Sequence, residues 1–381
     1  MSYQYIDNQP ALDALCEQLS KASVIAVDTE FVRTRTLYAK LGLLQVSDGQ
    51  QLALIDPLAV DDLSGFWRLI TDENITKVLH ACSEDLEIFQ MVGQCKPANL
   101  IDSQVMMSFL GHGLSMGYAA MVKHYCQVEL DKSESRTDWM KRPLTDKQLS
   151  YASADVSYLI SLYPKLLQDI KDAGYWDYVQ QESNNLVEKK FTDIDEDSLY
   201  RHIKMSWRLN PKQLNSLKHL ARWRYQQAKK RDLPIGFIAK DHTLMAVAQA
   251  NPSSISAMLN LTGVELLDVR HKGKAMLAVL RQAEKDDISS YPKKIQRLDE
   301  HPGYKQIFKK LKAFMTAISE QSGIAVENLA SKKQLNQFLT WHFNINDAQA
   351  SSLHVDLLSD WRYQLFGQSL QDFAARGFAE R

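Results

Sequence analysis

The alternation of apolar and polar positions divides the chain into two unlike halves. Val24-Ile25-Ala26-Val27 is a short apolar run, rich in β-branched residues, that leads straight into Asp28-Thr29-Glu30-Phe31. A run of that length and make-up predicts a buried strand ending in acids. Leu43 to Val46 and Gln51 to Ile55 predict two more strands, joined by a turn at Ser47-Asp48-Gly49-Gln50. Thr76 to His80 and Asn99 to Asp102 predict a further pair. Between them lies a helix from Ser83 to about Val92, with Leu86, Ile88, Phe89 and Val92 as its apolar positions. Beyond Asp102 the pattern turns helical: Ser103 to Leu110, Tyr118 to Tyr125, and a long helix from Asp146 to about Ile170. The long helix has a marked start, because Pro143 precedes Thr145, and Thr145 and Gln148 have the spacing of a capping box. Strands first, then strands and helices in alternation, predict an α/β domain with a mixed sheet flanked by helices.

From about residue 195 strand signals nearly vanish. Amphipathic helical segments follow, punctuated by Asn210-Pro211, Leu233-Pro234, Asn251-Pro252, Tyr291-Pro292 and His301-Pro302-Gly303. Compared with itself at an offset of 91, the chain aligns Leu217, Leu220, Trp223, Leu233, Ile235, Ile238, Ala239 and Leu244 with Phe308, Leu311, Phe314, Ile324, Val326, Leu329, Ala330 and Leu335. The apolar skeleton is kept while the surface differs. This predicts two small all-α domains of similar build, joined near Ser289 to Gln296. The expected division is 1–205 for the α/β domain, 206–291 for the first helical domain and 292–381 for the second.

Composition narrows the class. Hydrophobic residues make up 45% of the chain and charged residues 24%, enough apolar surface for real cores. The amino terminus lacks the basic start and apolar run of a secretory signal, and no stretch approaches the roughly 18 apolar residues of a membrane span. Cys16, Cys82, Cys95 and Cys126 are widely spaced and form no CxxC pair, so thiols are expected rather than disulfides or zinc ligands. A cytoplasmic protein is the expectation. The net charge is −1, but residues 204–315 hold 22 Lys+Arg against 9 Asp+Glu, which is +13 there and −14 elsewhere. Such asymmetry fits a polyanion-facing module attached to an acidic one, or a solvated helical surface.

The acids carry the chemistry. Side chains alternate along a strand, so Asp28 and Glu30 point the same way. Carboxylates held that close repel unless a cation lies between them, and hard divalent ions prefer oxygen ligands. Asp85 opens the helix of HACSEDLEIF, where an acid also complements the positive helix end. Tyr151 and Asp155, one helical turn apart in YASADVSYL, project from one helix face.

Taken together, DTEF, HACSEDLEIF and YASADVSYL resemble the three exonuclease motifs of the DEDD superfamily, with support from LGLLQV and DWMKRPLTDKQLSYASADV. Tyrosine four residues before the last acid resembles the tyrosine branch. In the second half, LARWRYQQAKKRDLPIGFIAKDHTLMAVA resembles the helical HRDC domain, and the second repeat resembles a divergent copy. One exonuclease domain followed by two HRDC domains is similar to the bacterial ribonuclease D family over essentially the whole chain.

The resemblance implies a ribonuclease-H-like fold and a 3′-to-5′ exoribonuclease. Asp28, Glu30, Asp85 and Asp155 would hold two Mg²⁺ or Mn²⁺ ions, and Tyr151 would orient the attacking water. It also implies nucleoside 5′-monophosphate products and trimming of transfer-RNA precursors and other small structured RNAs. Phe31 beside the acid pair is a candidate for stacking on the terminal base or for core packing. Trp139, Arg142 and Pro143 match the family's loop before the last helix, where Arg142 is expected to touch phosphate. His80 is expected to be structural or to support the ligands from outside rather than to bind metal itself. In the helical half Arg222, Arg224, Lys229, Lys230 and Arg231 are the candidates for phosphate contacts, and Trp223 is expected in the core because it aligns with Phe314. A monomer without a nucleotide cofactor is expected: there is no G-x-x-x-x-G-K-[ST] loop, and the glycines at 111, 113 and 117 have the wrong spacing for a dinucleotide fingerprint. Two alternatives remain open on the residues alone: the same chemistry on DNA, and a non-catalytic RNA-binding scaffold.

Overall fold

The computed structural model describes residues 3–131, 133–350 and 354–379. Six strands form one mixed sheet, β1 Gln4–Ile6, β2 Val24–Val32, β3 Lys40–Ser47, β4 Leu52–Ile55, β5 Thr76–Leu79 and β6 Leu100–Asp102, in the order β1-β4-β3-β2-β5-β6. β3 runs antiparallel to both its neighbours, and the other pairings are parallel. β2 is longer than its apolar run. Pairing with β3 continues to Val32 opposite Lys40, with a bulge between Glu30 and Phe31, so the acids sit inside a paired strand. β1 has three residues, too few for an alternation to show in the sequence.

Helices cover both faces. On one lie α1 Gln9–Leu19, α2 Ser64–Thr71 and α3 Asp85–Met91, packed on Ile25, Val27, Leu44, Val46 and Ile55. α4 Ser103–Phe109 and α5 Tyr118–Cys126 lead to α6 Asp146–Asp172, which crosses the other face over Ala26, Leu43, Leu52, Leu54 and Val78. α6 begins with the capping box its sequence predicts, Thr145 and Gln148 satisfying each other's backbone donors. α7 Trp176–Phe191 then packs beside α4 and β6.

The remaining helices are α8 Pro211–Arg231, α9 Ile235–Ile238, α10 Asp241–Ala250, α11 Ile255–Leu259, α12 Leu266–Ala283, α13 Tyr304–Ser322, α14 Val326–Leu329, α15 Lys332–His342, α16 Asp360–Arg362 and α17 Gln368–Ala375. Among the described residues no strand occurs after β6. The internal repeat is a structural one. α9 and α14 each have four residues and lie 91 apart, and each is followed by an extended alanine, Ala239 at φ −160° and Ala330 at φ −157°. α10 and α15 begin at the same offset.

The two repeats differ in where their cores lie. Leu214, Leu217, Leu220, Leu244, Val247, Met258, Val269 and Met276 form a closed core of their own. Leu311, Met315, Leu329, Phe338, Trp361 and Phe373 belong to the same cluster as the α6 face of the sheet. Trp361 joins the two parts, lying 5.2 Å from the Tyr178 ring and 5.3 Å from Phe109. Arg362 Nη1 reaches Glu182 at 2.7 Å, and Asn328 Nδ2 donates to Ser108 O at 2.7 Å. All four cysteines are free, two of them buried. No helix is long and apolar enough to cross a membrane.

Candidate active site

β2 and α6 bring a pair of neighbouring acids together with a distant third. Carboxylate oxygens of Asp28, Glu30 and Asp155 lie within 4.8 Å of one another. Asp28 and Glu30 share the sheet face that α6 covers. Asp155 descends from α6 with Tyr151 one turn earlier, and the phenol is close enough to Asp155, Glu30 and Asp28 to be influenced by all three charges. Asp85, the first residue of α3, is buried and stands behind Asp28, outside the tight set of three. Its Oδ1 accepts the Thr29 hydroxyl at 2.5 Å, which ties the helix start to the strand.

Burial and mutual repulsion dominate the electrostatics. Burial, then the charges of Asp28, Asp155 and Asp85, push the Glu30 carboxyl up to about 10. Burial followed by Asp85 raises Asp155 to about 8. Asp28 and Asp85 are held well above the usual carboxylate range by burial and by their acidic neighbours. Tyr151 is pushed up by burial, then by Asp155, Glu30 and Asp28, so at neutral pH it is a phenol and a hydrogen-bond donor. Four acids this close are unfavourable as anions in a partly dry site. A hard divalent cation among their oxygens reverses that balance, and an all-oxygen donor set suits Mg²⁺ or Mn²⁺. The residues therefore fit such a metal.

One residue that positions the acids was missed in the sequence. Asp102, closing β6, accepts from the backbone N–H groups of Ala81, Cys82 and Gln104 at 3.0, 2.9 and 2.8 Å, and so fixes the turn that presents Asp85. The only sequence signal was an acid followed by a helix, which reads as an ordinary N-cap. Both His80 ring nitrogens are engaged within the fold, against Ser103 Oγ at 2.9 Å and Met116 O at 3.0 Å.

Arg142 departs from expectation. Its Nε and Nη2 make a bidentate pair with Asp56 at 2.7 Å each. Its other three N–H groups donate to Trp139 O, Lys141 O and Gly42 O. With all five donors taken, none is left for a phosphate. Arg142 instead latches the start of α6 to β3 and to the end of β4.

Arg224 is a second correction. It is buried, and Nη1 donates to Ala239 O at 3.0 Å and Asp241 Oδ1 at 2.7 Å, so it braces α8 against α10 rather than facing solvent. Arg222 is paired with Asp197. Lys229 contacts Glu196 at 2.7 Å and the Tyr225 ring at 4.7 Å. Lys230 and Arg231 are exposed. Trp223 packs half-buried against the core of the first repeat. Phe31 is likewise half-buried, with the Arg33 guanidinium 5.9 Å from its ring. Asp232, next after α8, accepts from the N–H groups of Leu37 and Tyr38 at 3.0 Å each. That contact brings the end of α8 against the loop between β2 and β3.

Residues 3–171 match the family model of a 3′-5′ exonuclease, residues 213–280 that of the HRDC domain and residues 302–370 that of the ribonuclease D C-terminal HRDC domain. Ribonuclease D of Serratia proteamaculans is 41% identical over 98% of this chain and 99% of its own length. Ribonuclease D of Escherichia coli is 40% identical over 98% of each. The crystal structure of the E. coli enzyme, described as an exoribonuclease involved in structured RNA processing, superposes with a TM-score of 0.93 over 99% of both chains. The catalytic core of RRP6 from Trypanosoma brucei is more distant, at 25% identity, 74% of this chain and 80% of that one, and a TM-score of 0.56. Identity at this level across the sheet, the acid cluster and both helical repeats makes the chain a member of the ribonuclease D family, a 3′-5′ exoribonuclease with HRDC domains.

Proposed function

We propose that Asp28, Glu30, Asp85 and Asp155 hold the metal and that Tyr151 positions the water that attacks the terminal phosphodiester. The observation that carries this reading is the convergence of Asp28, Glu30 and Asp155 within 4.8 Å from a strand and a helix far apart in sequence. The chemistry that two bound Mg²⁺ or Mn²⁺ ions supply is Lewis acidity, which makes water nucleophilic at neutral pH and neutralises charge on the departing 3′ oxygen. Asp28, Glu30 and Asp155 form the tight set of ligands. Asp85, braced by Thr29, acts from behind Asp28. Tyr151 keeps its proton, so it orients the nucleophile by hydrogen bonding and leaves proton abstraction to solvent or carboxylate. The product is a nucleoside 5′-monophosphate.

The substrate proposed is the 3′ extension of a transfer-RNA precursor or another small structured RNA. Phe31 supports the terminal nucleotide. Lys230 and Arg231, aided by Lys229 and Arg222, contact phosphates upstream. The working division of the chain is 1–205, 206–291 and 292–381. The test is a time course on a 3′-extended transfer-RNA precursor with Mg²⁺. Asp155→Asn is expected to abolish nucleotide release while RNA binding persists, and Tyr151→Phe to slow it by about 10²-fold or more. Normal turnover by Asp155→Asn would sink the assignment. Blocking the substrate's 3′ hydroxyl is expected to protect it.

A further inference from the structure

Buried polar groups in folded proteins almost always have partners, and the exceptions call for a reason. Among the described residues six buried side-chain nitrogen or oxygen atoms have no protein partner, and three of them belong to two residues that neighbour active-site side chains: both amide atoms of Gln45 and Nε1 of Trp139. Gln45 is wholly buried in β3. It pairs in register with Asp28 on one side and with Leu54 on the other. Cross-strand partners share a face, so the Gln45 amide stands on the α6 side of the sheet beside the Asp28 carboxylate. Its neighbours on that face, Leu43, Leu52 and Leu54, are core hydrophobes. A leucine at position 45 would continue them without burying an unpaired amide. Trp139 flanks the other active-site element, its ring 6.2 Å from that of Tyr151.

We infer that Gln45 is a positioning residue for Asp28, and that its amide holds a buried water hydrogen-bonded to that carboxylate. A glutamine amide offers both a donor and an acceptor, which lets one such water bridge to the carboxylate and fix its orientation. The inference rests on the reading of Asp28 as a metal ligand. A carboxylate held in one rotamer binds a divalent ion without first losing that freedom, so the effect falls on metal affinity and on turnover together. The arrangement gives up core stability for function, and this separates it from plain packing.

The experiment compares Gln45→Leu and Gln45→Met with wild type and with Asp28→Asn in the full chain. Mn²⁺ binding to the protein without RNA is measured by calorimetry, thermal midpoints are recorded in EDTA, and kcat is measured on single-stranded RNA. Both Gln45 variants are expected to melt at or above the wild-type midpoint. They are also expected to bind Mn²⁺ about tenfold more weakly and to lose about tenfold or more in kcat, in the range that such supporting groups contribute. Two variants are used so that a misfit of the branched side chain does not decide the matter. Midpoints below wild type in both, or a stable variant with wild-type Mn²⁺ affinity, overturn the inference. If Asp28→Asn itself binds Mn²⁺ normally, the metal-ligand reading fails first, and the two failures are told apart.

Discussion

The two helical repeats share a helical plan, offset by 91 residues, but not a role in the architecture. The first closes a core among its own helices and the segment that leads into them, Tyr200 and Ile203 included, and also meets the exonuclease half through the Asp232 carboxylate on the Leu37 and Tyr38 amides. The second surrenders its core to the α6 side of the sheet, with Trp361 among Phe109 and Tyr178 and with Arg362 on Glu182. A repeated sequence therefore does not imply repeated packing. What decides is whether the apolar face of each copy is completed from within or from outside.

The largest loss is expected at Trp361. Trp361→Ala removes a wholly buried ring from the shared core and is expected to cost about 3–5 kcal/mol, as large core truncations do. Denaturant unfolding should show that loss in the exonuclease half as well as in the second repeat. Destabilisation confined to residues after 302 would show that the two are not one body.

A second effect comes from pH. In metal-free protein Glu30 is raised to about 10 and Asp155 to about 8, both chiefly by burial. The folded state therefore binds more protons than the unfolded one above about pH 4, where free carboxyls titrate. The stability these protons supply is complete at acid pH and is lost as pH rises through the folded values. Scanning calorimetry in EDTA is expected to show the transition of the shared body falling from about pH 5 to about pH 10, while that of the first repeat stays put. Saturating Mg²⁺ should flatten the slope. A metal-free transition indifferent to pH would contradict the electrostatic account.

The smallest expected effect is at Asp232. Asp232→Gly keeps the left-handed backbone, φ 49°, that the end of α8 requires, and removes only the carboxylate. The loss is about 1 kcal/mol. Hydrogen exchange should locate it at the Leu37 and Tyr38 amides, with the global midpoint little changed. Asp232→Asn, which keeps an acceptor oxygen, should restore protection.

Much of this was legible in the sequence. A β-branched run leading into two alternating acids, a Tyr and an Asp one turn apart and a capping box are local patterns, and each has its expected place in the fold. The repeat was legible because apolar spacing survives surface change. Partnership was not. Arg142 and Arg224 read as phosphate contacts because a basic residue in a loop or on a basic helix carries no sign of whether a carboxylate waits across the fold. Asp56 lies 86 positions before Arg142. Gln45 was invisible for the same reason: only the register of β2 on β3 places it opposite Asp28. Nor could periodicity tell an apolar face that closes on itself from one that closes on a neighbour.

The aromatic seam at Trp361 makes the exonuclease body discontinuous along the chain. The chain leaves the exonuclease body after α7, forms the first repeat, and returns to complete the same body. In that sense the first repeat is a guest inserted into a host whose two segments are both needed. Cutting the chain after residue 205 would strip the cover from Phe109, Tyr175 and Tyr178 and leave an adhesive surface prone to aggregation. Replacing residues 211–283 by a flexible linker would remove the guest and leave the host's seam closed.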